Sequence, residues 1–555
     1  MASLSDSRPV SRAHHRGRTP GAAALTARRQ EQVVRSRQRL KLAVMALSFS
    51  LWLTGNAALH AQSAAVPLYH TVYPFLEKLA ADLPQHSLAL HVIPVDREQV
   101  RQILLAARSA NLQLSRADQA LLEQYLAEFT DPVAGATPPA GAERHFWRHE
   151  ERGARLFVDV FGMQRFAFQR GDSAGQDLDI SRTRAGGRLR AQLPPRLLLA
   201  VEVSNSMERG APDSAEVFTP GRGQPLVLSG GSAFRETAIA YARLQLPWFE
   251  IEAGRNQFAW GVSPLTQLAL NRENQPFDLV RLDSRWRRFR FVFVHASLRA
   301  AQRKFLAAHR LEIMPLPTFL CAVGETVIYG SRGAEFEYLN PLMLYHAAEH
   351  LLGDRDNNVL TLDFAWFPRP GLKLYGESFI DDLSLEFPLG TYFGNKLAWL
   401  AGAFWTRPLG WRSADLRLEY SRVDPFVYTH EFPQNVYEQD GEALGSRFGP
   451  NADRLTLALG WRPHRDLQAT GRLHWQRTGR GDLFRAHRPE DGNAKGFLKG
   501  TVITTLYGNL ALENQIRRDV YLGIELEWEA AKNAGFVTGL TSHRRQAAFT
   551  MRVDW

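Results

Sequence analysis

The segment that most resembles a catalytic or metal-binding motif is 346–350, in which His346 and His350 flank Glu349. On a helix, two histidines four positions apart lie on one face and can bind the same metal ion, and the glutamate can activate a bound water. The order His-x-x-Glu-His is that of an inverted zinc-protease motif. However, a third ligand must come from elsewhere, and a five-residue match is weakly specific. For this segment we therefore favour a polar insertion between strands over a zinc site, and an outer-membrane hydrolase is our third hypothesis for function.

Other motifs for catalysis or metal binding are incomplete. Residues 354–358 (Asp-Arg-Asp-Asn-Asn) begin like a calcium loop but lack the glycine and the final glutamate that such a loop needs. The chain has no Gly-x-Ser-x-Gly nucleophile elbow, and 254–261 is too sparse in glycine for a nucleotide-binding loop. We therefore predict no enzymatic activity, no metal and no cofactor.

Alternation of apolar and polar residues dominates the chain from about Arg155 onward. Apolar residues occupy every second position in 238–246, 416–420, 455–461 and 520–528. Such segments predict two-faced β-strands of about 8–11 residues. Their polar faces carry charges such as Arg243, Glu419 and Glu527, which suit a water-filled lumen, and their apolar faces often end in an aromatic residue, as at a membrane interface.

The last residues extend this pattern to the end of the sequence, where Phe549, Met551, Val553 and Trp555 alternate with polar residues. A final amphipathic strand that ends in an aromatic residue is typical of an outer-membrane barrel, whose closure pairs every backbone group in lipid. The fold class we predict is an all-β transmembrane barrel of antiparallel strands, roughly 16–18 by this count, with a small N-terminal helical bundle.

The N-terminal part predicts export and a helical segment. Basic residues precede the uncharged apolar run 42–53, and small residues follow at 63–65, as in a secretory signal. Helical spacing of apolar residues in 69–83 and 96–110, and after the candidate cap Ser115, predicts three short helices. We assign 1–65 to a signal peptide with a long basic leader, 66–130 to the helical bundle, 131–145 to a linker and 146–555 to the barrel.

Composition excludes several classes of protein. Residues 1–41 hold 10 of the 67 basic and 2 of the 57 acidic residues, so the net charge of +10 comes mostly from the leader and does not indicate nucleic-acid binding. The single cysteine, Cys321, excludes an internal disulfide and a multi-cysteine zinc site. A mean hydropathy of −0.27 and the absence of a long apolar run after the leader exclude a multi-span helical membrane protein.

Four stretches carry a family resemblance by their order and spacing. They are Glu-Ile-Glu-Ala-Gly-Arg-Asn-Gln-Phe-Ala-Trp-Gly at 250–261 with Asn-Gln-Pro-Phe-Asp at 274–278, Glu-Tyr-Leu-Asn-Pro at 337–341 with Asp-Asn-Asn at 356–358, Leu-Tyr-Gly-Glu-Ser-Phe-Ile-Asp-Asp at 374–382, and Leu-Gly-Ser-Arg-Phe-Gly-Pro-Asn-Ala-Asp at 444–453. Across most of the mature chain, this set resembles the Wzi-type capsule assembly proteins of Gram-negative outer membranes.

The resemblance implies a barrel of about 18 strands with the helical bundle on the periplasmic side. It also implies a surface lectin that holds capsular polysaccharide or another exopolysaccharide on the cell. The partners we expect are this polysaccharide, outer-membrane lipid, and the barrel assembly machinery, which would act through the strand ending at Trp555. The long leader departs from the family pattern, and loops 434–444 and 479–496 are where glycan specificity would lie.

Sugars are held by aromatic faces, amides, carboxylates and arginines, and two strand ends supply such groups. The six glycan-binding candidates are Arg255, Asn256, Trp260, Glu377, Asp381 and Asp382. If Tyr375 and Glu377 face the lumen, Asp381 continues that face and Asp382 falls on the turn. An alternative we favour for these charged residues is a salt-bridge network that stiffens the lumen.

A passive channel for small solutes or sugars is the second hypothesis for function. It requires an open lumen, and the bulky side chains of Tyr241, Tyr375 and Arg417 on the predicted lumen faces count against one. Three asparagines at 340, 357 and 358 are expected to make turn or loop hydrogen bonds rather than to contact glycan.

Overall fold

The computed structural model describes residues 63–130, 143–172, 177–210, 227–229, 231–300 and 302–555. The apolar run and basic leader assigned to the signal peptide, and residues 131–142 of the predicted linker, lie outside the described residues. In the part of the chain that the structure describes, no helix combines the length and apolar character needed to cross a membrane.

Eighteen antiparallel strands among the described residues close into a barrel, which confirms the predicted fold class. With strands numbered along the chain, they are β3 (Ala154–Gly171), β4 (Leu178–Leu193), β5 (Leu197–Arg209), β7 (Ser232–Gln245), β8 (Phe249–Asn256), β10 (Phe277–Trp286), β11 (Phe289–Leu298), β12 (Lys304–Leu316), β13 (Phe319–Gly330), β14 (Asn357–Arg369), β15 (Leu372–Asp382), β16 (Lys396–Thr406), β17 (Ala414–Val423), β20 (Ala452–His464), β21 (Leu467–Thr478), β22 (Ile503–Arg517), β23 (Val520–Lys532) and β24 (Thr541–Asp554). Shorter strands are β1 (Val92–Ile93), β2 (Trp147–Glu151), β6 (Val227–Ser229), β9 (Ala259–Trp260), β18 (Glu438–Gln439) and β19 (Glu442–Ala443).

The last strand closes the barrel on the first. β24 pairs with β3 over eleven residue pairs, from Arg544 opposite Gly171 to Asp554 opposite Phe161. Beyond the strand, the backbone N–H of Trp555 donates to the carbonyl of Val160 at 2.8 Å. Because closure leaves no free sheet edge, every backbone group of the wall can be paired without water. The C-terminal alternation therefore correctly predicted the closing strand.

The two faces of the wall follow the alternation in the sequence. On β23, Ile524, Leu526 and Trp528 are exposed on the outer surface, where lipid lies in a membrane barrel. Arg243 and Glu419 are buried inside, as predicted for the lumen face.

Connections differ in length at the two ends of the barrel. At one end, called the short-turn end, two or three residues join the strands at 194–196, 246–248, 287–288, 317–318, 370–371, 465–466 and 518–519. At the other end, called the long-loop end, extended loops cover 257–276, 331–356, 424–451 and 479–502. This asymmetry is typical of outer-membrane barrels, in which short turns face the periplasm.

Three helices lie at the short-turn end: α1 (Val72–Asp82), α2 (Arg97–Ser109) and α3 (Arg116–Glu128). As predicted, Ser115 caps α3, because its hydroxyl accepts a hydrogen bond from the backbone N–H of Asp118 at 3.0 Å. The apolar faces of the helices bury a core of their own, which includes Leu76, Leu79 and Leu122. Two more helices, α4 (Phe336–Leu339) and α5 (Tyr345–Leu352), lie in the loop between β13 and β14.

The helical bundle is fastened to the rim of the barrel. The backbone N–H of Gly371, in the turn between β14 and β15, donates to the carbonyl of Ala81 at 2.9 Å. Arg407, in the next turn, holds both carboxylate oxygens of Asp82 at 2.6 and 2.7 Å. The bundle therefore closes part of the barrel at this end.

Candidate functional site

Chain segments enter the lumen from both ends and meet inside it. Loop 257–276 descends from the long-loop end, and residues 91–93 of the helical bundle enter from the short-turn end. They form a small antiparallel sheet in which Val92 pairs with Trp260 and Ile93 with Ala259. The backbone N–H of Gly261 also donates to the carbonyl of His91 at 2.9 Å. This interlock occupies one side of the lumen.

Trp260, a predicted glycan-binding residue, lies in the core of this interlock. Only 1% of its surface is exposed, and its ring lies edge-on to that of Phe258, with the centroids 6.1 Å apart. The following Gly261 has a φ of +148° and leaves no room for a side chain, because a Cβ there would lie 3.0 Å from Glu377 Oε2. Trp260 therefore joins the loop to the helical bundle and is not on a surface.

Glu377 and Asp381 hold the two loops that fold inward. Glu377 accepts hydrogen bonds from the backbone N–H groups of Val262 at 3.3 Å and Leu268 at 3.1 Å. Asp381 accepts one from the backbone N–H of Tyr428 at 2.7 Å, in loop 424–451. The prediction that both carboxylates continue the lumen face is correct. Both carboxylates accept hydrogen bonds from backbone N–H groups of the loops. Their positions in the strand sequence do not reveal this role.

Asn256 also faces inward, whereas Arg255 lies on the outer side of the wall. The Asn256 amide donates to Glu252 Oε1 at 3.0 Å. Arg255 pairs with Asp278 at 3.0 Å, at the long-loop end of β8 and β10.

Asp382 is exposed at the same end and forms an ion pair with Lys396 at 2.7 Å. It is the last residue of β15, so the expectation that it lies on the turn is wrong by one residue. A register shift between Ile380 and Asp382 changes the direction of the strand end. The alternation of apolar and polar residues in the sequence does not predict such a bulge. The six sequence candidates therefore separate into four interior residues and two at the exposed long-loop end.

The second inward loop packs on the first. Tyr437 donates its hydroxyl to the carbonyl of Ala269 at 3.0 Å, and Tyr428 donates to that of Leu268 at 2.8 Å. The backbone N–H of Asn271 donates to the carbonyl of Leu444 at 2.7 Å. Tyr437 and Leu444 are fully buried, so much of the 434–444 segment supports the lumen core and does not face a surface ligand.

Lumen charges are extensively paired, as expected for a stiffening network, but largely through residues that the sequence did not single out. Arg310 binds Asp363 at 3.0 Å and Glu312 at 2.9 Å, and both carboxylates are fully buried. Arg417 reaches Glu77 of α1 at 2.6 Å, which ties the wall to the helical bundle. Arg417 was predicted to face the lumen, whereas the only signal for Arg310, Glu312 and Asp363 in the sequence is a charge at an inward strand position.

The opposite side of the lumen holds a cleft between the helical bundle and the wall. A cavity of about 600 Å³ in the lumen adjoins one of about 640 Å³ towards the short-turn end, and they share lining residues. The half-exposed Tyr69 lines both cavities and donates its hydroxyl to Glu202 Oε2 at 3.1 Å. Arg272 lines the lumen cavity without a carboxylate partner within 4 Å among the described residues, and burial lowers its pKa. The cleft can therefore hold polar solutes.

An aromatic cluster lies at the long-loop end, which sequence analysis missed. Phe387, Tyr392 and Phe393 come from loop 383–395, His487 from loop 479–502 and Phe426 from loop 424–451. The rings of Phe387 and Tyr392 stack with centroids 4.2 Å apart, and those of Phe393 and His487 stack at 3.4 Å. Three loops far apart in the chain build this cluster, so no local pattern could reveal it.

The cluster combines apolar rings with charged groups. Phe387 is 45% exposed, and the Asp382–Lys396 ion pair lies at the base of the same loop. A backbone bridge between Tyr392 and Ala494 joins the two main loops. One exposed ring backed by half-buried rings, beside a few fixed polar groups, is suited to recognising the apolar face and the hydroxyls of a sugar.

Within the described ranges, no third metal-capable side chain lies close to both histidines of the motif that suggested zinc, although a carboxylate oxygen of Asp354 lies 3.9 Å from His350 Nε2. His346 and His350 share a face of α5, with ring centroids 4.4 Å apart. Among the described residues, the group of three metal-capable side chains lies elsewhere, at Glu143, His145 and Asp159. There, Arg97 and Arg190 already pair with Glu143, so this group is also built as an ion-pair network.

The calcium-like segment is likewise committed to other contacts. The Asp356 carboxylate accepts hydrogen bonds from both terminal nitrogens of Arg332, at 2.9 and 2.5 Å, and from the Tyr338 hydroxyl at 2.8 Å. Asn340 accepts a hydrogen bond from the backbone N–H of Leu342 and Asn357 donates to the carbonyl of Asn435, so both make the predicted loop contacts.

Comparison with known proteins identifies a family and a solved structure of similar fold. The family model described as capsule assembly protein Wzi matches residues 230–545. The structure of Wzi from Escherichia coli, described as an outer membrane protein involved in group 1 capsule assembly and a carbohydrate-binding β-barrel, matches at 13% identity with a TM-score of 0.56. The match covers 89% of this chain and 99% of that one.

Other barrels match less well. OccAB1 of Acinetobacter baumannii is 10% identical with a TM-score of 0.42, over 72% of this chain and 96% of its own. OprD of Pseudomonas aeruginosa is 10% identical with a TM-score of 0.41, over 72% and 94%. A search of curated proteins finds no significant match.

Proposed function

The chain belongs to the Wzi family of capsule assembly proteins, and on that premise we propose that it binds capsular polysaccharide or another exopolysaccharide and holds it at the surface of the outer membrane. The ligand class follows from the family. The site and the arrangement in the membrane are argued from this chain's own structure.

The observation that carries the proposal is the interlock of loop 257–276 with the helical bundle inside the barrel. A passive channel gains nothing from a β-ladder and a buried tryptophan that fill one side of its lumen. A binding protein gains affinity from it, because loops that are fixed inside the barrel lose little conformational entropy when they bind a ligand. Asn256, Trp260, Glu377 and Asp381 are therefore positioning residues in this proposal.

The glycan-binding surface we propose is the aromatic cluster together with Asp382 at the long-loop end. Phe387 and Tyr392 would stack on sugar rings, while Asp382 and Lys396 would bond hydroxyl or charged groups of the glycan. Arg255, half-buried on the outer side at the same end, would contribute at the edge of this surface. The protein acts by binding alone, without a catalytic step.

The orientation follows from the connections. Outer-membrane barrels place short turns in the periplasm and long loops outside, so we assign the helical bundle to the periplasmic side. We also propose the division of the chain predicted from the sequence, with a leader over 1–65, the helical bundle over 66–130 and a linker over 131–145. The barrel over 146–555 would be inserted by the assembly machinery through the strand that ends at Trp555.

A binding titration tests the proposal. The mature chain in detergent is titrated with the host's own capsular polysaccharide or exopolysaccharide, and with an unrelated glycan. We expect selective, saturable binding that weakens at least tenfold, or about 1.4 kcal/mol, in the double variant Phe387→Ala and Tyr392→Ala. Trp411→Ala, which removes an exposed ring at the short-turn end, is the matched control and should bind normally.

Two outcomes would contradict the proposal in different ways. Binding that is unchanged in the double variant would place the glycan elsewhere on the barrel. No binding to any host glycan, combined with a steady single-channel conductance through the cleft, would favour the passive channel.

A further inference from the structure

The helix pair α4–α5 lies on the outer wall of the barrel. Leu306, Ala308 and Ile328 of β12 and β13 belong to the lumen core, so the residues that alternate with them point outward. Those outward residues are nevertheless fully buried, because α4 and α5 cover them: Ala307, Val327 and Tyr329. Loop 331–356 therefore folds back over the surface that lipid contacts elsewhere on the barrel.

Specific contacts fix the helices to the wall. The ring of Tyr338 packs on that of Tyr329, with centroids 4.8 Å apart, and the ring of Tyr345 packs on His309 at 4.4 Å. Glu325, directly across the ladder from His309, accepts the backbone N–H of Tyr345 at 2.9 Å. These contacts fasten the start of α5 near the middle of β13.

The helices cover polar groups that would be costly in hydrocarbon. His309 and Glu325 face outward and hydrogen-bond each other at 3.0 Å. An outward carboxylate in the lipid belt of a barrel is unfavourable, the more so towards the middle of the membrane. Because Tyr345 supplies both a ring and a backbone donor, the pair is shielded from lipid by protein.

Four large apolar side chains of the helix pair are uncovered, beside the exposed His346 and His350 of α5. Phe336 and Leu342 are each 82% exposed, Leu351 is 77% exposed and Leu344 is 66% exposed. Large apolar side chains grouped in this way mark a contact with another apolar phase. The outward positions of β13 and β14 below this patch are also apolar, as at the paired residues Val323 and Leu362.

We propose that residues 336–352 are embedded in the membrane leaflet at the long-loop end, where lipid acyl chains cover Phe336, Leu342, Leu344 and Leu351. The occupant is lipid because the patch is continuous with the lipid-facing wall, and α4 and α5 already fill the protein side. The inference is independent of polysaccharide binding. It removes loop 331–356 from the glycan-facing surface and makes it a brace between the barrel and the leaflet.

Depth-dependent quenching tests the inference. In a Cys321→Ser background, the variant Leu342→Cys is labelled with an environment-sensitive fluorophore and placed in phosphatidylcholine vesicles with or without dibrominated acyl chains. Leu362→Cys, on the outward face of β14, is the quenched reference, and Leu385→Cys, 87% exposed in loop 383–395, is the reference in water. We expect strong quenching at 342, close to that at 362, and little at 385.

A label at 342 that is quenched no more than one at 385 would overturn the inference. If Leu342→Cys does not fold, Leu344→Cys and Leu351→Cys test the same surface with the same readout. Dimers held through this patch, with an unquenched label, would identify a second copy of the chain as the occupant and would also overturn it.

Discussion

Val92 and Trp260 pair in one small sheet although they enter the barrel from opposite ends. Val92 belongs to the segment that follows α1, and Trp260 to the loop between β8 and β10. Both are buried in the same core, with Leu268 and Leu444 from the two inward loops. The helical bundle, the wall and the loop surface therefore form one connected body, and a change at this contact should be felt at both ends.

Removing the Trp260 side chain should loosen this contact. Trp260→Ala leaves a large cavity in a packed core, for which a cost of about 3–5 kcal/mol is typical. We expect faster hydrogen exchange at Val92 and Ile93 and in loop 257–276, while the strands of the wall keep their protection. Trp248→Ala, at a largely exposed turn, is the control. Equal protection in both variants would show that the small sheet does not join the two ends.

The hydrogen bonds that the Glu377 carboxylate accepts should contribute more to stability than its negative charge does. Glu377→Ala leaves the backbone N–H groups of Val262 and Leu268 buried without an acceptor, at a cost of about 1–3 kcal/mol for each. Glu377→Gln keeps one carbonyl oxygen and should lose less. Exchange rates at these two amides measure the effect, with Glu386→Ala in an exposed loop as control. An equal loss in the Ala and Gln variants would contradict this account.

The Arg407–Asp82 contact should hold the helical bundle to the rim. Both carboxylate oxygens of the buried Asp82 are bonded by one guanidinium, a geometry that lysine cannot reproduce. We expect a coupling energy of about 1–3 kcal/mol in a double-mutant cycle of Arg407→Gln and Asp82→Asn, read from the rate of proteolysis within α1. Arg407→Lys should behave almost like Arg407→Gln. Additive effects of the two single changes would indicate that the pair contributes little.

Much of the fold could be predicted because strands exposed to lipid on one face and water on the other must alternate. Leu526 and Trp528 against Glu527 show this period, and a terminal Trp555 marks the closing strand. The helices at the short-turn end were equally predictable, since the cap at Ser115 and the apolar spacing are local signals. Each of these features depends on residues close together in the sequence.

The candidate site was less predictable because it depends on how the loops fold. Trp260 has the residue type of a sugar platform, yet its loop descends into the lumen and buries it. Phe393 and His487 stack although they lie in different loops, and neither stands in a recognisable motif. A sequence shows which residue types could bind a sugar, whereas only loop packing decides which of them remain exposed.

Asp519, in the turn between β22 and β23, should make the stability of the short-turn end depend on pH. Burial, with the nearby negative charges of Glu128 and Asp554, raises the pKa of Asp519 from 3.8 to about 6, although Arg518 and Arg144 act in the opposite direction. In this pH range the folded turn binds more protons than the unfolded chain, so its stability must fall as pH rises. The contribution is complete below about pH 3.8 and is lost by the time the pH has passed 6.

Hydrogen exchange across 516–521 between pH 4 and 7, corrected for the intrinsic rate, measures this effect. We expect the opening of the turn to become more frequent with rising pH, by at most about tenfold for each pH unit. Asp519→Asn should remove the dependence without straining the turn, because asparagine tolerates the positive φ of 65° at this position. Asp466→Asn, in the neighbouring turn between β20 and β21, is the matched control. A pH dependence that survives in Asp519→Asn would assign the titration to another group at this rim.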